Sequence, residues 1–73
     1  MEKKIALIRI GMNIRKIREE KNISQQDLAA VCNFEKSNMS RIEAGRSNLT
    51  IGTLLKICEA LQVKLVDVVD VQS

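Results

Sequence analysis

Residues 23–45 read ISQQDLAAVCNFEKSNMSRIEAG, and this stretch decides the fold. Ser24 followed by Asp27 resembles a capping box, in which each side chain binds the backbone N–H of the other residue. Asp is shorter than the Glu that this motif prefers. Ile23 and Leu28 have the spacing of a hydrophobic staple around the same helix start. A helix is therefore predicted to begin directly after Ser24.

A second short helix is predicted after a brief turn. Phe34 and Met39 repeat the staple spacing, and Gly45 is suited to the left-handed residue that ends a helix. Two short helices joined by a tight turn in a small helical chain suggest a helix-turn-helix motif over about residues 24–44. The predicted bounds of the two helices are about Gln25–Val31 and Lys36–Ala44.

The preceding sequence predicts another helix. Ile10, Ile14 and Ile17 follow the i, i+4, i+7 spacing of one buried stripe, surrounded by charged residues. This spacing predicts a first helix over about 5–21. Asn22 follows it, and Asn tolerates the left-handed conformation that often ends a helix.

The following sequence predicts a fourth helix and, after it, a fifth element that is either a helix or a strand. Thr50 is suited to cap the fourth helix. The tail 65–71 is ambiguous, because its β-branched residues favour a strand whereas its apolar spacing also allows a helix, which we favour. The whole chain is thus predicted to be all-α, one compact domain over 1–73. The apolar stripe of the fourth helix is predicted to comprise Ile51, Leu54, Leu55, Cys58 and Leu61.

The composition excludes several classes of function. The 73 residues include no His, Trp, Tyr or Pro, and Phe34 is the one aromatic residue. Without His the chain lacks the usual general base, so an enzyme is not expected. One aromatic ring offers no stacking platform for single-stranded nucleic acid. Cys32 and Cys58 are interpreted as buried, reduced thiols, and no metal or other cofactor is expected. We recognise no signal peptide or membrane-spanning segment, which predicts a cytoplasmic protein.

The net charge of +3 is unevenly distributed along the chain. Residues 1–46 hold ten of the twelve Lys and Arg residues against six acids, a balance of +4. The residues after Arg46 hold two basic residues against three acids, a balance of −1. The N-terminal part is therefore the candidate contact surface for a polyanion. A solvated helix face with ordinary ion pairs is the open alternative.

The third predicted helix has an outward face that suits a DNA major groove. Lys36, Ser37, Ser40 and Arg41 share this face, opposite the apolar residues. Arg and Lys can pair with guanine acceptors, and Ser can bond to several bases. An outward polar face is also what any solvated helix shows, so the pattern alone leaves both interpretations open.

Groups suited to phosphate lie on either side of this helix in the sequence. Gln25 lies in the first turn of the second helix, where exposed N–H groups and the helix dipole favour an anion. Arg46, Ser47 and Asn48 form a polar loop directly after the third helix. They are predicted to contact or support DNA phosphates, and an ordinary connecting loop is the alternative.

Four segments of the chain resemble the XRE family of phage Cro- and repressor-type helix-turn-helix regulators. The resemblance covers about residues 8–66 and implies a five-helix bundle of the lambda-repressor-like type, with the third helix in the major groove. Asn22, Leu49 and Cys58 depart from the family pattern, where Gly, Pro and Ala are common. The segments read IRKIREEKNISQQDLA (14–29), MSRIEAG (39–45), NLTI (48–51) and LLKICEAL (54–61).

The resemblance implies which residues contact bases. Lys36, Ser37 and Arg41 match the family's base-reading positions. Ser40 and Asn38 are expected to make further DNA contacts. The third helix thus carries all of the expected base-reading residues.

The resemblance also implies supporting roles. Gln25, Arg46 and Asn48 match phosphate-contacting positions of the family. Arg18 and Glu43 match a buried ion pair that ties the first helix to the third. Removing one partner of such a pair strands the other charge.

The expected function is a sequence-specific transcriptional regulator that binds a palindromic operator on double-stranded DNA. A homodimer is expected because one short helix reads too few base pairs. A restriction–modification controller protein or a small repressor is favoured. The alternative is an antitoxin or protein-interaction module whose helix-turn-helix autoregulates its operon. RNA polymerase and a toxin are the further partners considered, and association with the nucleoid is expected.

The dimer surface is expected in the neutral C-terminal part, over about residues 50–73. A core this small leaves some apolar residues of the tail exposed unless a partner covers them. The apolar N-terminal residues Ile5, Leu7 and Ile8 form a rival surface. The expected dimer residues are Leu65, Val66, Val68, Val69 and Val71.

Overall fold

A computed structural model describes residues 1–69 of the chain. The described residues form helices and no strands, which confirms the all-α prediction. Within the tail, Leu65–Val69 form a helix, as favoured over a strand from the sequence. The helices are α1 (Lys3–Glu20), α2 (Gln25–Cys32), α3 (Lys36–Glu43), α4 (Ile51–Leu61) and α5 (Leu65–Val69).

The first helix begins two residues earlier than predicted and carries the predicted stripe. Ile14 is fully buried, and Ile10 and Ile17 are partly buried against the same core. Asn22 has the predicted left-handed conformation, with φ at 58°. No helix within residues 1–69 is both long and apolar enough to cross a membrane.

The helix starts at Ser24 and Thr50 form as predicted. The Ser24 hydroxyl accepts the Asp27 N–H at 3.0 Å, and the Thr50 hydroxyl accepts the Thr53 N–H at 3.1 Å. The reverse half of the capping box does not form within the described chain: the Asp27 carboxylate does not accept the Ser24 N–H. Asp lacks one methylene of the preferred Glu, so its carboxylate reaches less far back.

The predicted apolar stripe of α4 was wrong at two positions. Ile51 and Leu55 are 61% and 49% exposed, whereas Ile57, which the predicted stripe omitted, is fully buried. Apolar residues occupy two faces of α4, so their spacing did not decide which face is covered. Since α2 and α5 both pack on α4, the face that they cover becomes the buried one. That face carries Leu54, Ile57, Cys58 and Leu61.

The fifth helix packs largely into the core, so one of the predicted dimer residues, Val68, is not available on the surface. Val68 is fully buried, and Leu65 and Val69 are partly buried against the core. The Asn13 side-chain amide donates to the Val68 carbonyl at 2.9 Å, which ties α5 to α1. Val66 is 60% exposed. The prediction for Val71 lies outside the described residues.

The first and third helices approach each other at backbone distance. A Cβ on Gly11 would lie 2.5 Å from the Glu43 carbonyl oxygen. Gly45 has φ at +74°, and a Cβ there would lie 2.6 Å from Ile8 Cα. Only glycine fits at these two contacts, which hold the C-terminal end of α3 and the following turn against α1.

Both cysteines are buried, free thiols. Burial raises the pKa of the Cys32 thiol, a shift that the Lys56 charge partly opposes. Burial also raises the pKa of Cys58, and the nearby Asp67 charge adds to the shift. Protonated thiols are poor nucleophiles, so the structure supports the interpretation of both residues as small apolar side chains.

Candidate nucleic-acid interface

A buried ion pair orients the third helix. Arg18 Nε lies 2.8 Å from one Glu43 carboxylate oxygen, and Arg18 Nη2 donates to the other at 3.1 Å. Its third donor, Nη1, bonds to the Ile23 carbonyl at 3.0 Å. The hydrogen bond to Glu43 raises the pKa of Arg18, burial opposes the shift, and the negative charges of Glu43 and Glu19 add to it. The two-point contact fixes both the distance and the rotation of α3 relative to α1.

Gln25 connects the ion pair to the surface. Its side-chain amide donates to Glu43 at 3.1 Å, so α2 is bonded to the same carboxylate as α1. Gln25 is half-buried and lines an open groove of about 570 Å³. Lys36 and Ser40 line the same groove. The structure thus brings three of the predicted DNA-contacting residues together, at the meeting point of α1, α2 and α3.

The outward face of α3 is fully available to a ligand. Lys36, Ser37, Ser40 and Arg41 are all exposed, while Met39 and Ile42 are buried on the opposite side. The Ser37 hydroxyl has one weak contact, to Glu35 at 3.5 Å. Asn38 is half-buried and lies at the edge of the exposed face.

The predicted phosphate residues after α3 lie apart from the first groove. Arg46 and Asn48 line a second groove, of about 360 Å³, against the start of α1. The Arg46 N–H donates to the Arg41 carbonyl at 2.9 Å, which ties the loop to the last turn of α3. Ser47 is half-buried and its hydroxyl donates to the Asn48 carbonyl at 3.4 Å, so it supports the loop.

The sequence analysis missed several residues at these grooves. Arg15 and Gln26 line the first groove, and Lys3 and Lys4 line the second. Gly11 was missed as well, although a glycine inside a helical pattern indicates a close approach. The basic residues at the grooves could not be singled out from the sequence, because many charged residues surround the apolar residues of α1. Within residues 1–69, no three Cys, Asp or Glu side chains are grouped closely enough to hold a metal ion.

Comparison with known proteins gives consistent matches. A family profile described as helix-turn-helix matches residues 14–68. An uncharacterized HTH-type transcriptional regulator, y4dJ of Sinorhizobium fredii, is 35% identical over 60 residues, which are 82% of this chain and 78% of that protein. Control protein C.BamHI of Bacillus amyloliquefaciens is 38% identical over 61 residues, which are 82% of this chain and 75% of that protein.

Solved structures show the same arrangement of helices. The restriction-modification controller protein C.AhdI from Aeromonas hydrophila superposes with a TM-score of 0.82 at 27% identity, covering 85% of this chain and 94% of that one.

A third sequence relative, antitoxin PezA of Streptococcus pneumoniae, is 30% identical over 60 residues, but the match spans 38% of that longer protein. With a bonded α2–α3 pair, an exposed basic α3 face and these matches, the chain belongs to the XRE-type helix-turn-helix family of DNA-binding transcriptional regulators.

Proposed function

We propose that this regulator binds a palindromic operator as a homodimer, in the manner of a restriction–modification controller protein. The observation that carries the proposal is the exposed face of α3, whose four polar side chains include two cations and no acid. A buried network behind it bonds α3 to both neighbouring helices. Such a face is pre-oriented for base edges in the major groove.

The direct test is selection of bound sites from random duplex DNA by the purified protein. We expect enrichment of two inverted half-sites with centres about one helical turn apart, roughly 34–36 Å. Absence of any enriched sequence would contradict specific binding. Enrichment of a single half-site would retain DNA reading but contradict the homodimer.

Two arginines on neighbouring segments separate base reading from phosphate binding. Arg41→Ala should cost about 1–3 kcal/mol of discrimination between the selected site and random DNA. Arg46→Ala should weaken both DNAs about equally and reduce the slope of log K against log salt by about 1. Titration of both DNAs at several salt concentrations distinguishes the two roles. Equal losses on both DNAs for Arg41→Ala would contradict its role in base reading.

The proposed dimer surface is the exposed apolar side of α4 and α5. Ile51 and Leu55 are one turn apart on α4, and Val66 is an exposed apolar residue of α5. The rival stripe on α1 includes Ile5 and Ile8, 44% and 38% exposed. Lysines flank that stripe, so two copies meeting there would bring like charges together. The α4–α5 surface lies in the nearly neutral part of the chain, with two basic residues against three acids, so this repulsion should be smaller there.

Light scattering of charge-introducing variants tests the dimer surface. Leu55→Glu should lower the dimer fraction, because a carboxylate would be buried in the contact. Val31→Glu is the matched control, since Val31 is 71% exposed on α2, outside the proposed surface. Ile5→Glu tests the rival stripe. If Leu55→Glu keeps the mass of a dimer and Ile5→Glu has the mass of a monomer, the dimer interface lies on α1 instead.

An antitoxin-like role is the second candidate. It is favoured by the match to PezA and by the exposed apolar side of α4 and α5, which a toxin could cover instead of a second copy. Co-purification from the native host at defined stoichiometry distinguishes them. A stable complex with a second polypeptide would favour the antitoxin role, and a homodimer alone would favour the controller role.

A further inference from the structure

The second groove collects positive charge from two distant parts of the chain. Lys3 and Lys4 come from the first turn of α1, and Arg46 comes from the loop after α3. Asn48 lies at the same groove, and Glu2 is its one acid. Within the described residues, none of the three cations forms an ion pair. The groove therefore carries a net positive charge, with three cations against one acid.

The backbone fixes the relative positions of these cations. Gly45 approaches Ile8 so closely that any side chain at Gly45 would clash with the α1 backbone. The Arg46 N–H is bonded to the Arg41 carbonyl in the last turn of α3. The basic start of α1 is thus held beside the C-terminal end of the helix whose outward face is proposed to read bases. An anion in this groove would lie at a defined position relative to that helix.

We propose that this groove binds a DNA phosphodiester beyond the base pairs that α3 reads, with Lys3 and Lys4 as its additional ligands. The proposal rests on the placement of α3 in the major groove described above. DNA backbone is the anion that is present whenever α3 is bound, and it continues past both ends of the recognition helix. Lysine at such a position adds affinity without sequence preference. The start of α1 would therefore lengthen the footprint on each half-site.

The test compares lysine-to-alanine variants on the selected operator and on random duplex. The double variant Lys3→Ala/Lys4→Ala should bind both DNAs roughly fivefold to tenfold more weakly and lower the salt slope by about 1 or more. Alanine is the best helix former, so α1 should persist, which circular dichroism checks. Lys64→Ala is the control for loss of a positive charge, since Lys64 lies on the α4–α5 connection. It should change the affinity less than twofold.

Two further measurements test whether the loss of affinity arises in the second groove. Glu2→Gln should tighten DNA binding, since it removes the one acid of the groove. Duplexes with progressively shorter flanks should lose affinity for the wild type but not for the double lysine variant. This coupling between flank length and the lysines distinguishes a phosphate contact from a general effect of net charge.

The outcomes separate this inference from the proposed function. If the double variant keeps the wild-type affinity, salt slope and flank dependence, the groove is not a DNA contact, while the role of α3 stands. If the wild type binds no duplex, both proposals fail. A nuclear magnetic resonance titration with inorganic phosphate distinguishes the source of the anion. Shifts confined to Arg46 and Asn48 amides, together with unchanged DNA binding by the lysine variant, would indicate a free anion and overturn the DNA assignment.

Discussion

The contact between α1 and α3 and the contact between α4 and α5 are built from different chemistry. The first combines the close approach at Gly11 with the two-point bond between Arg18 and Glu43. The second joins fully buried apolar side chains, among them Ile57 and Val68. Apolar burial has no preferred direction, whereas hydrogen-bonded charges hold one geometry. The polar contact therefore orients α3, and the apolar contact supplies stability.

Of the changes to these two contacts, removal of one buried charge should lower the stability of the protein most. Glu43→Ala leaves Arg18 buried without its partner and should lower the free energy of unfolding by about 3–5 kcal/mol. Urea denaturation measures the change. Arg15→Ala is the matched control, because its 3.3 Å pair with Glu19 lies on the surface. The control should cost under about 1 kcal/mol. Similar losses for both variants would contradict the structural role of the buried pair.

The apolar contact between α4 and α5 should be weakened by a substitution that leaves a cavity in the core. Ile57 is fully buried, so Ile57→Ala should cost about 2–5 kcal/mol through lost burial and incomplete repacking. Leu55→Ala, at a half-exposed position of the same helix, should cost clearly less. Denaturation of both variants provides the measurement. If the buried contact between α4 and α5 supplies only stability, the folded fraction of Ile57→Ala should still distinguish the operator from random DNA, and lost discrimination would contradict that division.

A methyl group added at Gly11, where α1 meets the backbone of α3, should have a smaller effect on stability. Gly11→Ala should destabilise the protein by about 1–3 kcal/mol, because its Cβ would collide with the α3 backbone. Gly52→Ala is the matched control, since its Cβ would meet only the Thr50 hydroxyl oxygen at 3.8 Å. The control should gain roughly 0.5–1 kcal/mol from helix propensity. Thermal unfolding of the pair measures both, and a stabilising Gly11→Ala would show that the helices can separate freely.

Substitutions at the left-handed residues that follow α1 and α4 should change the stability least. Asn22 lies next to the polar contact, and Gln62 ends α4 with φ at 58°. Asn tolerates this conformation better than Gln, so Gln62→Gly should stabilise the protein by about 0.5–1 kcal/mol. Asn22→Gly should gain less. The midpoints of thermal unfolding check the order of the two variants. An equal gain at both positions would show that the residue type does not matter there.

The sequence predicted local features better than the direction of packing. The Ser24 and Thr50 caps were predictable, because they act over three residues. The covered face of α4 was not, since it depends on helices far away in sequence and apolar residues occupy both sides. Val68 was misplaced for the same reason. The pairing of Arg18 with Glu43 spans 25 residues and was suggested by the family resemblance, not by any local pattern.

The backbone contact at Gly11 and Gly45 also bears on how this regulator can change its target. Helix α3 is held by its inner residues and by its own backbone, and the outward side chains Lys36, Ser37, Ser40 and Arg41 take no part in that attachment. Exchanging them leaves every anchoring contact in place. If α3 reads bases as proposed, its binding preference can therefore change, in evolution or by library selection, without compensating changes in the core.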